Sequence, residues 1–207
     1  RHYVANTLAA ELLLAAIGRS GPEVVEALAT EGTVPGRMEL VADDGVRGIV
    51  DYSHTADALE QALTTLRAVP GTRRLVVVMG AGGDRDRTKR PRMGEVAARL
   101  ADVVIVTDDN PRTEDPASIR DEVLAGIPED TNAQVREVDG RGAAIELAAS
   151  LADVSDTILV AGKGAETGQQ IGGIVHPFDD RLRLRDALHT ARSTPRRVDA
   201  DDMDEGR

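Results

Sequence analysis

The stretch LVVVMGAGGDRDRTKRP, Leu75 to Pro91, decides the fold. Five apolar residues in a row, Leu75 to Met79, show no alternation, so both faces of this strand are dry. A strand of that kind needs a covering layer on each side, which is the signature of a parallel sheet sandwiched by helices. The run then opens into Gly80, Gly82 and Gly83 and places Asp84, Arg85, Asp86, Arg87, Lys89 and Arg90 within seven positions. In open parallel sheets ligands bind beyond the carboxyl ends of the strands, which is where this charge falls.

Outward from this point the same alternation repeats. From Arg37 come RMELVA and VRGIVDY as a strand pair and the helix ADALEQALTTLRAV. After Met79 follow the helix GEVAARLA, the strand DVVIVT, the helix PASIRDEVLAGI, the strand AQVREV, the helix GAAIELAASLA and the strand DTILVAG, with a last helix in PFDDRLRLRDALHTA. The sequence therefore predicts an α/β domain, a Rossmann-like, mostly parallel sheet with helices on both faces, over residues 36–192. Ahead of it, HYVANTLAAELLLAAIG with a stop at Gly18, and GPEVVEALATEG with Pro22 at its start and Gly32 after its end, read as two helices. They have no sheet of their own to pack on, so residues 1–35 are expected to be the edge of a larger neighbouring domain. Residues 193–207 carry many charges and no apolar period, and are expected to form a disordered acidic tail.

Composition narrows the function. With 25 basic against 36 acidic residues, a net charge of -11, a duplex-binding surface is not expected, and 1% aromatic content leaves no stacking platform for single strands. No run of about 18 apolar residues could span a bilayer, and no signal-peptide pattern opens the chain, so a cytoplasmic protein without membrane contact is expected. The absence of cysteine removes disulfides and thiolate metal sites. The basic cluster Arg85 to Arg92 on an acidic body suggests a small anionic ligand.

Four strand ends are polar or Gly-rich: VDYSHT, MGAGGDRDRTKRP, VTDDNPRTEDP and VAGKGAETGQQ. Each has a plain structural explanation. Asp51 and His54 could cap the next helix, the glycines could permit a tight turn, and Arg85, Asp86, Arg87 and Lys89 could be a solvated charge run. No segment matches G-x-x-x-x-G-K-[ST], and GAGGDR has Arg85 where the third glycine of a dinucleotide fingerprint belongs. His2, His54, His176 and His189 share no metal-ligand spacing. Taken together, the loops form a cleft with both signs of charge: Arg85 and Arg112 can grip carboxylates bidentately, while Asp109 or Glu166 can take an ammonium. Such a cleft suits a zwitterion with extra charged groups.

Six ordered stretches carry a resemblance: PGRMELV, VDYSHTADALEQAL, GAGGDRDRTKRPRMGEVAARLAD, VTDDNPRTEDPASI, AGKGAETGQQ and HPFDDR, with HYVANTLAA before them. They resemble the C-terminal domain of the Mur ligases, the ATP-dependent enzymes that add amino acids to the peptidoglycan precursor, and are most similar to members that add the third residue. The resemblance implies that Arg37 approaches the nucleotide phosphates and Asp51 the ribose of ATP, with Tyr52 and His54 in the same pocket. It implies that Lys89, Arg90 and His54 lie near the reacting centre. Arg85, Asp109, Asn110, Arg112, Gly162 and Glu166 would hold the incoming meso-diaminopimelate, Arg112 of the DNPR form meeting the carboxylate that lysine lacks.

The implied reaction is acyl phosphate formation on UDP-N-acetylmuramoyl-L-Ala-D-Glu, then attack by the amine, with Mg²⁺ held mainly by a central domain and by no residue here. Ser53 and Ala56 in DYSHTAD, and Ala165 in GKGAE, depart from the family's usual DYAHTPD and GKGHE. No P-loop sequence is present, so the chain alone is expected not to ligate. The alternatives are a non-catalytic binding or regulatory module of the same origin, and another Mur or folylpolyglutamate-type ligase.

Overall fold

A computed structural model describes residues 2–19, 21–30 and 34–193. The predicted tail therefore lies, but for Ser193, outside the described residues. Two compact units divide between Val34 and Pro35. The first holds helices α1 (His2–Ala16) and α2 (Gly21–Thr30). On α1 and just beyond it, Leu8, Leu12, Leu13 and Ile17 are exposed, whereas Val24 of α2 is buried.

The second unit begins with the antiparallel pair β1 (Glu39–Asp44) and β2 (Val46–Asp51), joined at Gly45. It continues through α3 (Ala56–Arg67), β3 (Leu75–Met79), α4 (Lys89–Leu100), β4 (Val103–Val106), α5 (Pro116–Leu124), β5 (Gln134–Glu137), α6 (Arg141–Leu151) and β6 (Thr157–Ala161). The hairpin β7 (Gly168–Ile171) and β8 (Ile174–Pro177), and α7 (Asp180–Ser193), complete it. The six-stranded sheet has the order β1-β2-β6-β3-β4-β5, parallel except at β1.

The unbroken apolar strands are explained by what covers them. Leu75, Val77 and Met79 of β3 face a layer made by Leu59, Leu63 and Leu66 of α3, Met93 and Ala97 of α4, and Ile119 and Val123 of α5. Val76 and Val78 of the same strand face Ile145 and Ala148 of α6, in the layer that α7 extends with Leu184 and Leu188. Successive side chains point to opposite faces and both faces are covered, so the apolar pattern cannot alternate with polar residues. Burial of each such side chain stabilises by roughly 1.5–3 kcal/mol before the entropy of ordering it is subtracted.

Two differences from the sequence reading bear on function. Helix α4 starts at Lys89, so TKRP is the first helical turn rather than loop. Pro91 permits this because a first-turn residue has no intrahelical N–H bond to lose. The segment GQQIGGIVHP is a hairpin and not a continuation of the loop after β6: Gly172 and Gly173, both at positive φ, form its turn. Strand residues flanking Gly-Gly fit that turn, but Gln169, Gln170 and His176 carry no alternating pattern.

Candidate functional site

The carboxyl ends of β2, β3, β4 and β6 open on one edge of the sheet. At β2, Asp51 is buried, and its carboxylate accepts the backbone N–H of Met38 at 2.8 Å and the hydroxyl of Ser53. It is thereby tied to the Gly36–Met38 turn. Helix α3 is capped by neither Asp51 nor His54 but by Thr55, whose Oγ1 accepts from Ala58 N at 3.3 Å. The Arg37 guanidinium lies 4.5 Å over the Tyr52 ring, and the His54 ring meets Tyr52 edge-on at 4.6 Å. Arg37, Tyr52, Lys163, Ala165 and Glu166 line a cavity of about 380 Å³.

The charge run after β3 divides into residues with internal partners and residues without. Arg90 is fully buried: it donates to Glu114 at 2.9 and 3.0 Å, to Glu122 at 2.9 Å and to Gly82 O at 3.1 Å. Arg87 pairs with Glu122 on the surface. Hydrogen bonding from Arg90, then from Asp84 N, holds the Glu114 carboxyl at about 2, well below its usual value. The run is therefore less cationic than its sequence suggests, because its counter-charges arrive from α5 and the loop before it. Arg90 braces the glycine loop from inside, with no part of it open to the cleft.

Arg85 is exposed, and its only hydrogen bond among the described residues is to Asp84 O. Lys89 is half-buried and donates to His54 O at 2.6 Å, and burial pulls its ammonium below the usual lysine value.

Beyond β4 the backbone turns sharply. Asp109 and Asn110 are buried, and Arg112 adopts φ +54. That left-handed conformation is held by the hairpin: Arg112 N donates to Gln170 O at 3.0 Å, and Gly172 N donates to Arg112 O at 2.6 Å. The Arg112 guanidinium donates to Gly83 O at 2.6 Å and flanks Gly82 together with Arg85. Asp109 Oδ2 is buried with no hydrogen-bond partner, and burial raises its carboxyl above the usual range against the pull of Arg141 and Lys163. Gly162, at φ +122, leaves the space this oxygen needs; a Cβ there would collide with it.

Sequence reasoning passed over several residues that build the site. Lys163, fully buried, donates to Asn110 Oδ1 at 2.8 Å and to Glu166 Oε2 at 3.1 Å. Arg141, also fully buried, forms a bidentate pair with Asp180 at 2.7 Å on each arm and donates to Ala161 O and Asp108 O. The second Asp of HPFDDR is thus the counter-ion that anchors the ends of β4 and β6. Lys163 lies inside the quoted GKGAE loop, and its position between two glycines was the available signal.

A family model described as Mur ligase, glutamate ligase domain, matches residues 36–164. The chain belongs to the Mur ligase family. Among curated relatives, the UDP-N-acetylmuramoyl-L-alanyl-D-glutamate--2,6-diaminopimelate ligase of Streptomyces avermitilis is 48% identical over 189 residues, covering 89% of this chain and 37% of that protein. The enzyme of the same name from Brucella melitensis is 48% identical over 187 residues, with the same coverages. A solved structure of a ligase of that name superposes with a TM-score of 0.72 at 39% identity, over 93% of this chain and 39% of the other. The chain thus spans well under half the length of the relatives it matches. The mostly parallel sheet of this Mur ligase domain is the fold expected from the strand runs. Among the described residues no helix is long and apolar enough to cross a membrane, and no group of three or more acidic or histidine side chains could hold a metal ion.

Proposed function

We propose that this Mur ligase domain binds and orients meso-diaminopimelate for addition to UDP-N-acetylmuramoyl-L-Ala-D-Glu, in the cytoplasm, as part of an ATP-dependent ligase. The observation that carries the reading is that Arg112, pinned in a left-handed turn beside Arg85, shares this strand end with the buried Asp109 oxygen, which accepts no hydrogen bond and has only the Arg141 guanidinium, at 4.0 Å, for a counter-charge. The Arg112 guanidinium at Gly82, with the exposed Arg85 side chain passing the same glycine, suits a terminal carboxylate, and a buried carboxylate oxygen that accepts no hydrogen bond suits an ammonium. At its side-chain end lysine offers the ammonium without the carboxylate. Discrimination would then come from leaving Arg112 without its carboxylate when lysine binds. Asn110 and Glu166 would complete the acceptor side, with Gly162 keeping room for Asp109.

The cavity beside Tyr52 fits part of a nucleotide. Arg37 over the ring supplies a cation for phosphate, with Tyr52 and His54 beside it, whereas Asp51 already uses both oxygens and would have to share one with a ribose hydroxyl. ATP, when bound, supplies the phosphoryl group that activates the precursor's carboxylate. Among the described residues no cluster of acidic or histidine side chains fits Mg²⁺, and no step is assigned to a metal there. Lys89, half-buried and with its ammonium destabilised, would face the reacting centre; Arg90 would serve only to hold the loop. Proximity would be the main contribution of this part, with amine and activated carboxyl held in line. Ligation itself would require residues beyond these 207.

Titration calorimetry of the chain with meso-diaminopimelate and with L-lysine tests the reading. Wild type should bind meso-diaminopimelate the more tightly, and Arg112→Ala should weaken it by about tenfold or more, the worth of one charge-assisted pair, while leaving lysine within about twofold. Equal affinity of the wild type for both amino acids would sink the assignment.

A further inference from the structure

Lys163 is a buried cation that no step above uses. Its ammonium has two acceptors, Asn110 Oδ1 at 2.8 Å and Glu166 Oε2 at 3.1 Å. Asn110 Oδ1 also accepts Gln170 N at 2.9 Å, which fills both lone pairs of that oxygen. Because two donors converge on this atom, it must be the oxygen, and the amide nitrogen must face Glu166, to which it donates at 2.9 Å. Glu166 Oε2 then receives two donors, and among the described residues no hydrogen bond reaches Oε1. The Glu166 side chain keeps 38% of its surface open, while that of Lys163 keeps none.

We propose that Lys163 is a positioning residue for the acceptor: by occupying Asn110 Oδ1 and Glu166 Oε2 it turns Glu166 Oε1 outward to receive one ammonium of the bound amino acid. This rests on the acceptor reading given above. Without Lys163, Glu166 keeps only the Asn110 amide as a donor and Asn110 Oδ1 only the Gln170 N–H, so each side chain loses one of the two bonds that fix it. The acceptor then meets a loosened pair where it now meets one aimed oxygen. Removing the cation also leaves Glu166 as a half-buried carboxylate with one neutral donor, which costs stability, so a fold-independent readout is needed.

The test compares wild type with Lys163→Met on the full chain, by calorimetry with three ligands: meso-diaminopimelate and the two enantiomers of 2-aminoheptanedioate, each of which keeps one of the two ammonium groups. In wild type one enantiomer should bind more weakly, because it lacks the ammonium that Glu166 takes. K163M should weaken meso-diaminopimelate and the other enantiomer by about tenfold, and leave the first within about twofold. Equal weakening of all three ligands would make Lys163 a general prop and overturn the proposal, as would unchanged binding of all three.

A second readout needs no ligand. The side-chain amide protons of Asn110 should exchange slowly in wild type and faster by about tenfold or more in K163M. If that protection is lost but wild type binds none of the three compounds, the acceptor reading fails while the lock itself stands. If wild type binds and K163M keeps full protection, the lock fails and the acceptor reading stands. Should K163M not fold, Lys163→Gln keeps a donor without the charge, and the same ratios are read on it.

Discussion

Replacing Arg90 by methionine should strain the whole strand-end assembly. The guanidinium is wholly buried and makes four hydrogen bonds, three of them to the carboxylates of Glu114 and Glu122, whose side chains remain 20% and 31% exposed. Methionine fills much of the volume and removes all four hydrogen bonds, leaving Glu114 and Glu122 with only the surface Arg87 as counter-charge and Gly82 O without its guanidinium donor. Removing one partner of a fully buried ion pair costs about 3–5 kcal/mol. Here water can still reach both carboxylates, so about 2–3 kcal/mol is the reasonable range. At roughly 2–4 °C per kcal/mol for a domain of this size, the melting temperature should fall by about 5–10 °C.

The same change has a pH signature. In the folded protein Arg90 and Asp84 N depress the Glu114 carboxyl to about 2, from an ordinary 4.5. A carboxyl depressed by folding stabilises above its unfolded value and loses that contribution as pH falls through its folded value, so the wild type should lose stability between about pH 4.5 and pH 2. In R90M that acid limb should flatten, because Glu114 no longer has its main partner. Thermal unfolding followed by circular dichroism across that range checks both points. A melt within about 2 °C of wild type at neutral pH, or an unchanged acid limb, would refute the bracing role of Arg90.

Asp109→Asn should act in the opposite direction on stability. The carboxylate oxygen it removes is buried without a hydrogen bond and is offset only by the Arg141 guanidinium at 4.0 Å, so the variant should melt about 2–4 °C higher at pH 7, while binding meso-diaminopimelate more weakly. Burial raises the Asp109 carboxyl, so its penalty is felt above that raised value and relieved below it, and the gain should shrink as pH is lowered. Lower stability of D109N at pH 7 would show that the carboxylate is better compensated than its contacts indicate. Asp180→Asn leaves the buried Arg141 without its counter-ion, a loss of about 3–5 kcal/mol that should lower the urea midpoint by at least about 1 M. An unchanged midpoint would remove the Arg141–Asp180 pair from the account of what anchors the ends of β4 and β6.

The sheet was legible because dryness on both faces writes itself into a local pattern: five apolar residues at β3, four at β4 and four at β6, Ile158 to Ala161, need no knowledge of what lies on top of them. The hairpin β7–β8 was not legible by the same means. It packs no buried apolar face, and its contribution is polar: backbone hydrogen bonds to Arg112 and to Asn110 Oδ1, and one buried side-chain bond from Gln169 Nε2 to Asp109 O at 2.7 Å. The one local signal was the Gly172–Gly173 turn. This matters for the site, since the conformation of Arg112 depends on that hairpin as much as on its own motif.

Side-chain roles were legible only in kind. Arg85 and Arg90 stand five positions apart in one charge run and are the same residue type, yet one is exposed with only a carbonyl for company and the other is sealed between two carboxylates. What separates them is the arrival of Glu114 and Glu122 from 24 and 32 residues away, and no local pattern encodes that arrival. Lys163 and Arg141 repeat the case, with partners 53 and 39 residues distant. A buried cation must have a partner, so each one absorbs an acid that would otherwise count toward the ligand. Subtracting the absorbed groups leaves Arg85, Arg112 and one oxygen of Glu166 on the acceptor side, with Asp109 Oδ2 buried behind them, short of a hydrogen bond and only 4.0 Å from Arg141. That remainder carries two positive groups for a carboxylate and two negative ones for ammonium groups, a balance that one amino acid with a single carboxylate and a single amine would leave half satisfied.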